Sequence, residues 1–427
     1  MKRFAAFFLT PLLLCSCTDT ARKTPPETES NVLYAAEPQT TPETETETVM
    51  PEITYEAPQS VIKRNIDYDA FDEHIAEIAA DNDVVGMGLC VFAEGEIIHE
   101  IYIGLADKEN NIPCGENTVY RVASVSKLIS SMALMTLYDD GLIDPYSDLE
   151  EITGLPFNHS GSDERVLLWH LMTHTAGLND SYIYEISPSY YYDVSYVLKN
   201  SHNYFELGEQ YSYTNFGAGT VGATAEKLTG EYFHDFADRV IFSKLDMDAA
   251  YCADMLDDRS DCANIYSCGV LNASPKSWYR NSKYYESFGL GNSYLNAQCE
   301  LLITPRDLAR LGIVIAGDGS VDGVRILSEE AVGLINIPYY HNGDMYFDVG
   351  LCTRIYDGNL AEGRRIFGHA GCALGNVCGL YYDPSDHTGI ALCTNGCYLG
   401  INGENGVYDI IDDCIEYVYD TLFEAPQ

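Results

Sequence analysis

A run of residues without Gly or Pro, from Ser124 to Tyr138, constrains the fold of this chain more than any other stretch. Its apolar residues fall on nearly every face of a helix, which predicts a helix buried on all sides. Lys127 follows Ser124 by one helical turn, so both side chains share a face. Burial favours the neutral amine of a lysine, and a helix N-terminus favours an oxyanion. The pattern therefore predicts a serine nucleophile activated by a lysine.

A serine at the start of a helix also has a purely structural explanation. Ser124 could cap the helix by accepting a backbone N–H. Ser-x-x-Lys is short enough to occur by chance, and Ser60 with Lys63 repeats it in a polar stretch that no buried helix follows. The interpretation therefore depends on finding the other groups that such chemistry needs, a second proton relay and donors for the substrate.

Two downstream motifs supply those groups. Tyr213 and Asn215 stand in residues 208–217, which lead directly into a predicted helix. The motif His369-Ala370-Gly371 lies on a predicted late strand, where small residues let a substrate backbone approach the strand edge. Each motif also occurs elsewhere in the chain and is weak alone, but here they follow Ser-x-x-Lys in order.

The order of the predicted elements indicates an α+β fold. Two strands come early and three come late: 85–92, 97–103, 365–371, 377–383 and 389–394. Helices are predicted at 69–82, 124–138, 166–178, 216–228, 304–316 and 408–422. Because a mostly helical stretch, about 141–345, separates the early strands from the late ones, we expect one antiparallel five-stranded sheet. Terminal helices would flank this sheet, and a large helical insertion would interrupt it.

Together the motifs resemble the serine β-lactamase and DD-peptidase superfamily, specifically its class C β-lactamase-like branch. Longer matches at residues 170–178, 208–217 and 306–310 support the resemblance, which covers roughly 67–423. It implies a β-lactamase/transpeptidase-like serine hydrolase domain over residues 65–427. Ser124 would be the acylated nucleophile, Lys127 its base, and Tyr213 the relay that gives the proton to the leaving group.

The resemblance also implies how the substrate is held. Asn215 would bind the substrate amide, and the backbone N–H groups of Ser124 and Cys372, the residue after Gly371, would form the oxyanion hole. His369 would face the substrate's carboxylate. With a pKa near the usual value of about 6.5, such a histidine would attract that carboxylate more strongly as pH falls.

Three functions fit this site. The first is a serine hydrolase acting on D-amino-acid peptides of the cell wall, in the manner of a D-alanyl-D-alanine carboxypeptidase. An esterase or a β-lactamase would use the same residues on another substrate. A non-catalytic penicillin-binding sensor or surface adhesin on the same fold would be expected to lack a catalytic residue, whereas every matched position here keeps its residue.

The amino terminus predicts export and anchoring. A basic start and a short apolar run at 4–14 precede Leu14-Cys15-Ser16-Cys17, which resembles a bacterial lipoprotein signal over 1–17 with Cys17 as the lipidated residue. An ordinary secretory signal cleaved nearby is the alternative. Residues 18–64, rich in Thr, Glu and Pro, predict a disordered spacer. We therefore expect a lipid-anchored protein on the extracellular face of the bacterial cell membrane.

Charge and cysteine content bear on whether the chain binds nucleic acid, forms disulfides or holds a metal. A net charge of −41 argues against a nucleic-acid partner but names no other, and a small-molecule or peptide substrate is what the resemblance implies. Twelve of the 14 cysteines lie beyond Cys17, and export permits disulfides among them. No cofactor and no metal are expected, because Leu171 stands between His170 and His174 where the zinc-protease helix motif needs a Glu.

Overall fold

A computed structural model of the chain describes residues 61–158, 164–203, 205–277, 280–341, 346–403 and 405–425. The predicted lipoprotein signal, Cys17, Ser60 and the predicted spacer as far as residue 60 lie outside these residues. Within the described residues, no helix is long and apolar enough to cross a membrane.

Helices and strands alternate along the chain, and most of the strands lie towards its two ends. The helices are α1 (Tyr68–Asp81), α2 (Val125–Asp139), α3 (Leu149–Thr153), α4 (Leu168–Met172), α5 (Tyr182–Tyr190), α6 (Val194–Leu198), α7 (Asn215–Thr229), α8 (Phe233–Ala237), α9 (Ser282–Glu286), α10 (Pro305–Ala316), α11 (Glu329–Ile335) and α12 (Asp409–Leu422). The strands are β1 (Gly86–Ala93), β2 (Glu96–Asp107), β3 (Ile112–Pro113), β4 (Tyr120–Arg121), β5 (Ile265–Ser267), β6 (Val270–Ala273), β7 (Leu302–Ile303), β8 (Ser320–Val321), β9 (Val324–Arg325), β10 (Asp348–Val349), β11 (Arg354–Asp357), β12 (Arg365–Ala373), β13 (Asn376–Asp383) and β14 (Thr388–Thr394).

One antiparallel sheet, in the order β10-β11-β12-β13-β14-β1-β2-β3, forms the centre of the molecule. The predicted α+β class is confirmed, and the five predicted strands are contiguous in the middle of the sheet. The sheet has eight strands rather than five, because β3, β10 and β11 extend its edges. These strands have two to four residues, too few for an alternating pattern to be read in the sequence.

Helices cover both faces of the sheet. The terminal helices α1 and α12 pack on one face, where β1 contributes Met87, Leu89 and Val91 to the core. The opposite face packs against α2 and α10, and there β1 contributes Cys90 and Phe92. Alternate residues of β1 therefore enter different cores, which explains why the whole strand is buried.

The structure corrects the length of one predicted helix and shows the state of the cysteines. The predicted helix over 166–178 is shorter, because α4 stops at Met172 and His174 adopts the left-handed conformation (φ 60°) that turns the chain away. Twelve cysteines in the described residues, from Cys90 to Cys414, are free thiols.

Candidate active site

Ser124 sits at a sharp turn between a short strand and the buried helix. β4 leads to Ala123, whose left-handed backbone (φ 48°) redirects the chain, and α2 begins one residue after Ser124. The Ser124 hydroxyl makes no capping hydrogen bond to the helix. It accepts a hydrogen bond from Nζ of Lys127 at 3.0 Å, as the spacing predicts. The capping alternative therefore does not describe what this hydroxyl does.

Lys127 is only 1% exposed, and three oxygens surround its amine. Besides Ser124, Nζ donates to Oδ1 of Asn215 at 2.9 Å and to the backbone oxygen of Gln298 at 3.0 Å. The Gln298 side chain in turn accepts a hydrogen bond from the hydroxyl of Tyr184 at 2.8 Å. The amine is thus held in place by groups from three separate segments of the chain.

Asn215 is the first residue of α7, and Asp180 determines how its amide is turned. Nδ2 of Asn215 donates to Asp180 at 3.1 Å, which leaves Oδ1 for Lys127. The backbone N–H of Phe216 and the hydroxyl of Thr214 also donate to Asp180, at 2.8 and 2.6 Å. The motif that contains Asn215 is therefore fixed to the active site through a carboxylate that the sequence did not indicate.

The ring of Tyr213 lies among positively charged and aromatic groups. Nζ of Lys127 is 5.1 Å from the ring centroid, and the guanidinium of Arg354 is 5.9 Å from it. The ring of His174 packs on one side of Tyr213 at 4.4 Å, and the ring of His369 lies at 6.2 Å. The Tyr213 ring therefore lies next to Lys127, the residue with which its predicted relay role would be shared.

Gly371 lets β12 come directly against the start of α2. A Cβ at this position would overlap the Val122 oxygen and lie 2.9 Å from the Ser124 nitrogen, so only glycine fits. β11 pairs with β12 only as far as Gly368, so no neighbouring strand covers the outer edge from His369 to Ala373 in the part of the sheet that the structure describes. This open edge, which includes Cys372, lies beside Ser124.

His369 is placed at the site, but its ionisation differs from the expectation. Its side chain is 4% exposed, and Nδ1 lies 2.6 Å from the Ala370 oxygen, a contact in which the ring donates. Burial, followed by the charges of Arg354 and Lys127, lowers the pKa of His369 well below its usual value. The expectation that His369 has a pKa near the usual value is therefore wrong for the free protein, because a third positive charge beside Arg354 and Lys127 is unfavourable in this buried place.

Arg354 supplies the positive charge that the sequence led us to expect from His369. It is the first residue of β11 and pairs with Gly368, one residue before His369. Its guanidinium stacks over Phe347 at 4.4 Å and faces Tyr213. No motif indicated Arg354, because strand pairing alone brings it to the site.

The pair His170 and His174 serves the local backbone. Nδ1 of His170 accepts the N–H of Leu167 at 3.1 Å, and Nδ1 of His174 accepts the N–H of Thr214 at 3.3 Å. Burial lowers the pKa of His170 to about 4 and that of His174 well below its usual value. Both rings are thus neutral acceptors that stabilise the backbone where the chain enters α4 and α7.

The structure brings the predicted residues close together. Lys127 and Asn215 contact each other directly, Ser124 contacts Lys127, and Gly371 contacts the start of α2. Tyr213 and His369 complete the group through ring contacts. The residues that sequence reasoning missed are Asp180, Gln298 and Arg354.

Comparisons with known proteins identify relatives of this chain. Residues 71–405 match the family model described as Beta-lactamase. Esterase EstB of Burkholderia gladioli is 33% identical over 129 residues, which are 27% of this chain and 32% of the esterase. The chain thus spans about a third of that relative.

Solved structures show the same fold. A penicillin-binding protein homologue from Caulobacter crescentus is 19% identical, with a TM-score of 0.67 over 85% of this chain and 100% of that one. A class C β-lactamase is 19% identical, with a TM-score of 0.62 over 82% of this chain and 98% of that one. Because the match to the family model spans residues 71–405, the chain belongs to the β-lactamase family of serine hydrolases, whose members here include a penicillin-binding protein homologue, an esterase and a β-lactamase.

Proposed function

We propose that this protein is a lipid-anchored extracellular serine hydrolase that forms an acyl-enzyme on Ser124 and acts on D-amino-acid peptides of the cell wall. The observation that carries the chemistry is the environment of Lys127, with two oxygens that can only accept hydrogen bonds and the Ser124 hydroxyl as the third neighbour. The substrate that we propose is a peptide whose last residue bears a free carboxylate.

In the reactive form, Lys127 has given up one proton and is a neutral amine that acts as a base. Such an amine has two hydrogens and one lone pair, and Asn215 Oδ1 and the Gln298 oxygen are positioned to take the two hydrogens. The lone pair then faces Ser124, 3.0 Å away. When the Ser124 oxygen attacks a carbonyl, its proton passes to Lys127, and the resulting ammonium donates to all three oxygens.

The remaining steps use the groups beside Ser124. Attack turns the substrate carbonyl oxygen into an oxyanion, which the backbone N–H groups of Ser124 and Cys372 would stabilise. Tyr213, next to Lys127, would carry the proton to the leaving amine, so that the C–N bond breaks and an ester remains on Ser124. Water attack on that ester then releases the product and restores the Ser124 hydroxyl.

Arg354 supports a substrate that ends in a carboxylate. Its guanidinium lies 5.9 Å from the centroid of the Tyr213 ring, beside the residue that would carry the proton to the leaving group. A guanidinium is charged at any working pH and binds a carboxylate in bidentate fashion. A carboxypeptidase acting on a D-alanyl-D-alanine terminus needs such a partner, whereas an esterase does not.

One set of assays distinguishes the candidate substrates. The same preparation is tested with a D-Ala-D-Ala peptide, nitrocefin and p-nitrophenyl acetate, each with Ser124→Ala as the control. We expect turnover of the peptide to exceed that of the other two in kcat/KM. Preferred turnover of the ester would make the protein an esterase, a possibility that the similarity to EstB favours.

Labelling tests the nucleophile independently of the substrate. A fluorophosphonate should add one label, and peptide mass spectrometry should place it on Ser124. Ser124→Ala should remove the label and Ser60→Ala should retain it. Lys127→Ala should slow labelling by several orders of magnitude, because members of a cooperating pair are strongly non-additive. A label that persists in Ser124→Ala would refute the mechanism.

Anchoring is tested on the native protein in its own cells. Leu14 to Cys17 predict that the protein partitions with membranes and carries lipid on Cys17. Cys17→Ala should release or misprocess it, while Cys15→Ala should leave a lipidated Cys17. Stable partition implies more than one acyl chain, because a single chain binds only marginally. A mature terminus at any other residue would contradict the lipoprotein proposal.

A further inference from the structure

The carboxylate of Asp180 contacts residues 214–216, at the start of α7, and takes no part in the proton transfers described above. It accepts four hydrogen bonds: from Oγ1 of Thr214 (2.6 Å), the backbone nitrogens of Phe216 (2.8 Å) and Asn215 (3.1 Å), and Nδ2 of Asn215 (3.1 Å). An ionised carboxylate can only accept hydrogen bonds. The NH2 group of Asn215 is therefore the end of the amide that faces Asp180.

The orientation of the Asn215 amide determines whether its oxygen or its NH2 group faces Nζ of Lys127. With its NH2 turned to Asp180, Asn215 presents Oδ1 to Nζ of Lys127 at 2.9 Å. If the amide were reversed, its NH2 group would donate to the lone pair of a neutral Lys127. That lone pair would then no longer be available to the hydroxyl of Ser124.

We propose that Asp180 is a positioning residue that fixes the amide orientation of Asn215 and thereby aims the lone pair of Lys127 at Ser124. The inference rests on the proposed acylation of Ser124. Asp180 acts through Asn215, and the hydrogen bonds that hold it come from residues 214–216 at the start of α7.

A simpler role for Asp180 must be separated from this one. By accepting the backbone N–H groups of Asn215 and Phe216, Asp180 also caps α7. Loss of a cap lowers stability, but it does not determine which end of the Asn215 amide faces Lys127. The two roles therefore make different predictions for the rate of acylation and its dependence on pH.

The first variant is Asp180→Ala, assayed by the burst of p-nitrophenol released from p-nitrophenyl acetate between pH 5 and pH 9. We expect the acylation rate at its plateau to fall about tenfold to a hundredfold, because the freed amide competes for the lone pair of Lys127. The acidic side of the pH–rate profile, where acylation slows because Lys127 is protonated, should move to lower pH. An NH2 group that faces Lys127 favours the neutral amine over the ammonium.

The second variant, Asp180→Ala with Asn215→Asp, removes the need for an amide orientation. The carboxylate that this substitution introduces ends in two oxygens, so Lys127 meets an acceptor in either rotamer. We expect acylation of this ester, which has no amide for Asn215 to bind, to be faster than in Asp180→Ala. The acidic side of the pH–rate profile should move to higher pH, because a carboxylate favours the ammonium. The temperature of thermal unfolding should remain as low as in Asp180→Ala, because the hydrogen bonds from the first residues of α7 to Asp180 are still missing.

Asp148→Ala is the matched control, because Asp148 also caps a helix by accepting two backbone N–H groups, those of Glu150 and Glu151, at 2.9 and 3.1 Å. It should lose stability and keep the wild-type rate. Should Asp180→Ala not fold, Asp180→Ser takes its place in both variants, because a serine keeps a capping acceptor.

The outcomes separate the inference from the function on which it rests. A wild type that shows no burst and no label on Ser124 would contradict the proposed function. With a normal wild-type burst, the inference is overturned if Asp180→Ala acylates as fast as Asp148→Ala. It is equally overturned if the double variant folds but acylates no faster than Asp180→Ala.

Discussion

Arg354 and His369 both lie beside Tyr213, but only one of them keeps a positive charge through the neutral range. Arginine remains protonated at any working pH. Burial and the charges of Arg354 and Lys127 lower the pKa of His369, so His369 is neutral there. At the scale of single residues, we therefore expect the proposed attraction for a substrate carboxylate to come from Arg354 and not from His369.

Arg354→Met should weaken the binding of substrates that end in a free carboxylate. We expect KM for a D-Ala-D-Ala peptide to rise about tenfold, or about 1.4 kcal/mol, because one partly solvated ion pair is lost. KM for the C-terminal amide of the same peptide should change less than about twofold. An equal rise for both substrates would mean that Arg354 maintains the cleft and does not recognise the carboxylate.

The same two side chains predict a flat pH dependence. Because Arg354 stays charged and His369 stays neutral, KM of the wild type for the carboxylate peptide should be constant between pH 7.5 and 5.5. His369→Gln should retain this flat profile. A KM that falls with pH in the wild type but not in His369→Gln would show that the substrate draws a proton onto His369.

At the scale of secondary-structure elements, the site depends on the contact between β12 and the start of α2. Gly371→Ala would place a Cβ against the Val122 oxygen and separate the two elements. We expect labelling of Ser124 by a fluorophosphonate to slow about a hundredfold, because small displacements at a reacting centre are costly. Gly115→Ala, where a Cβ meets no atom within 4 Å, should label at the wild-type rate.

The elements also explain how much of the molecule could be predicted from the sequence. Ser124 and Lys127 share one helical turn, so their contact follows from the spacing alone. The five longest strands of the sheet were each found within a few residues, because each is long enough to show its pattern. Residues inside one element are thus the part of a site that a single sequence predicts most directly.

The rest of the site depends on contacts between elements. Asp180 meets Asn215 across 35 positions in the chain, and Arg354 reaches the cleft through the pairing of β11 with β12. Gln298 contributes a backbone oxygen to Lys127, and a backbone group leaves no signal in the residue type. Such contacts are set by tertiary packing, so local spacing could not indicate them.

At the scale of the whole molecule, buried neutral histidines connect stability to pH. Burial lowers the pKa of His170 to about 4, and the pKa values of His174 and His369 are lowered by burial together with nearby positive charges. In the unfolded chain each histidine has the usual pKa of about 6.5. The unfolded state therefore binds more protons as pH falls below about 6.5, and the free energy of unfolding decreases until the folded histidines also titrate.

His170 offers the clearest test of this linkage, because it lies outside the proposed catalytic group. Between pH 6.5 and 5.5, protonation of its unfolded form should cost the wild type about 1 kcal/mol of stability. His170→Asn should remove that part of the pH dependence and leave the contributions of other groups unchanged. Burial raises the pKa of Glu226 and Asp383, and their opposing effect cancels in the difference between the two proteins. Urea unfolding of both at each pH gives this difference, and identical slopes would show that His170 takes up its proton equally in the folded and unfolded states.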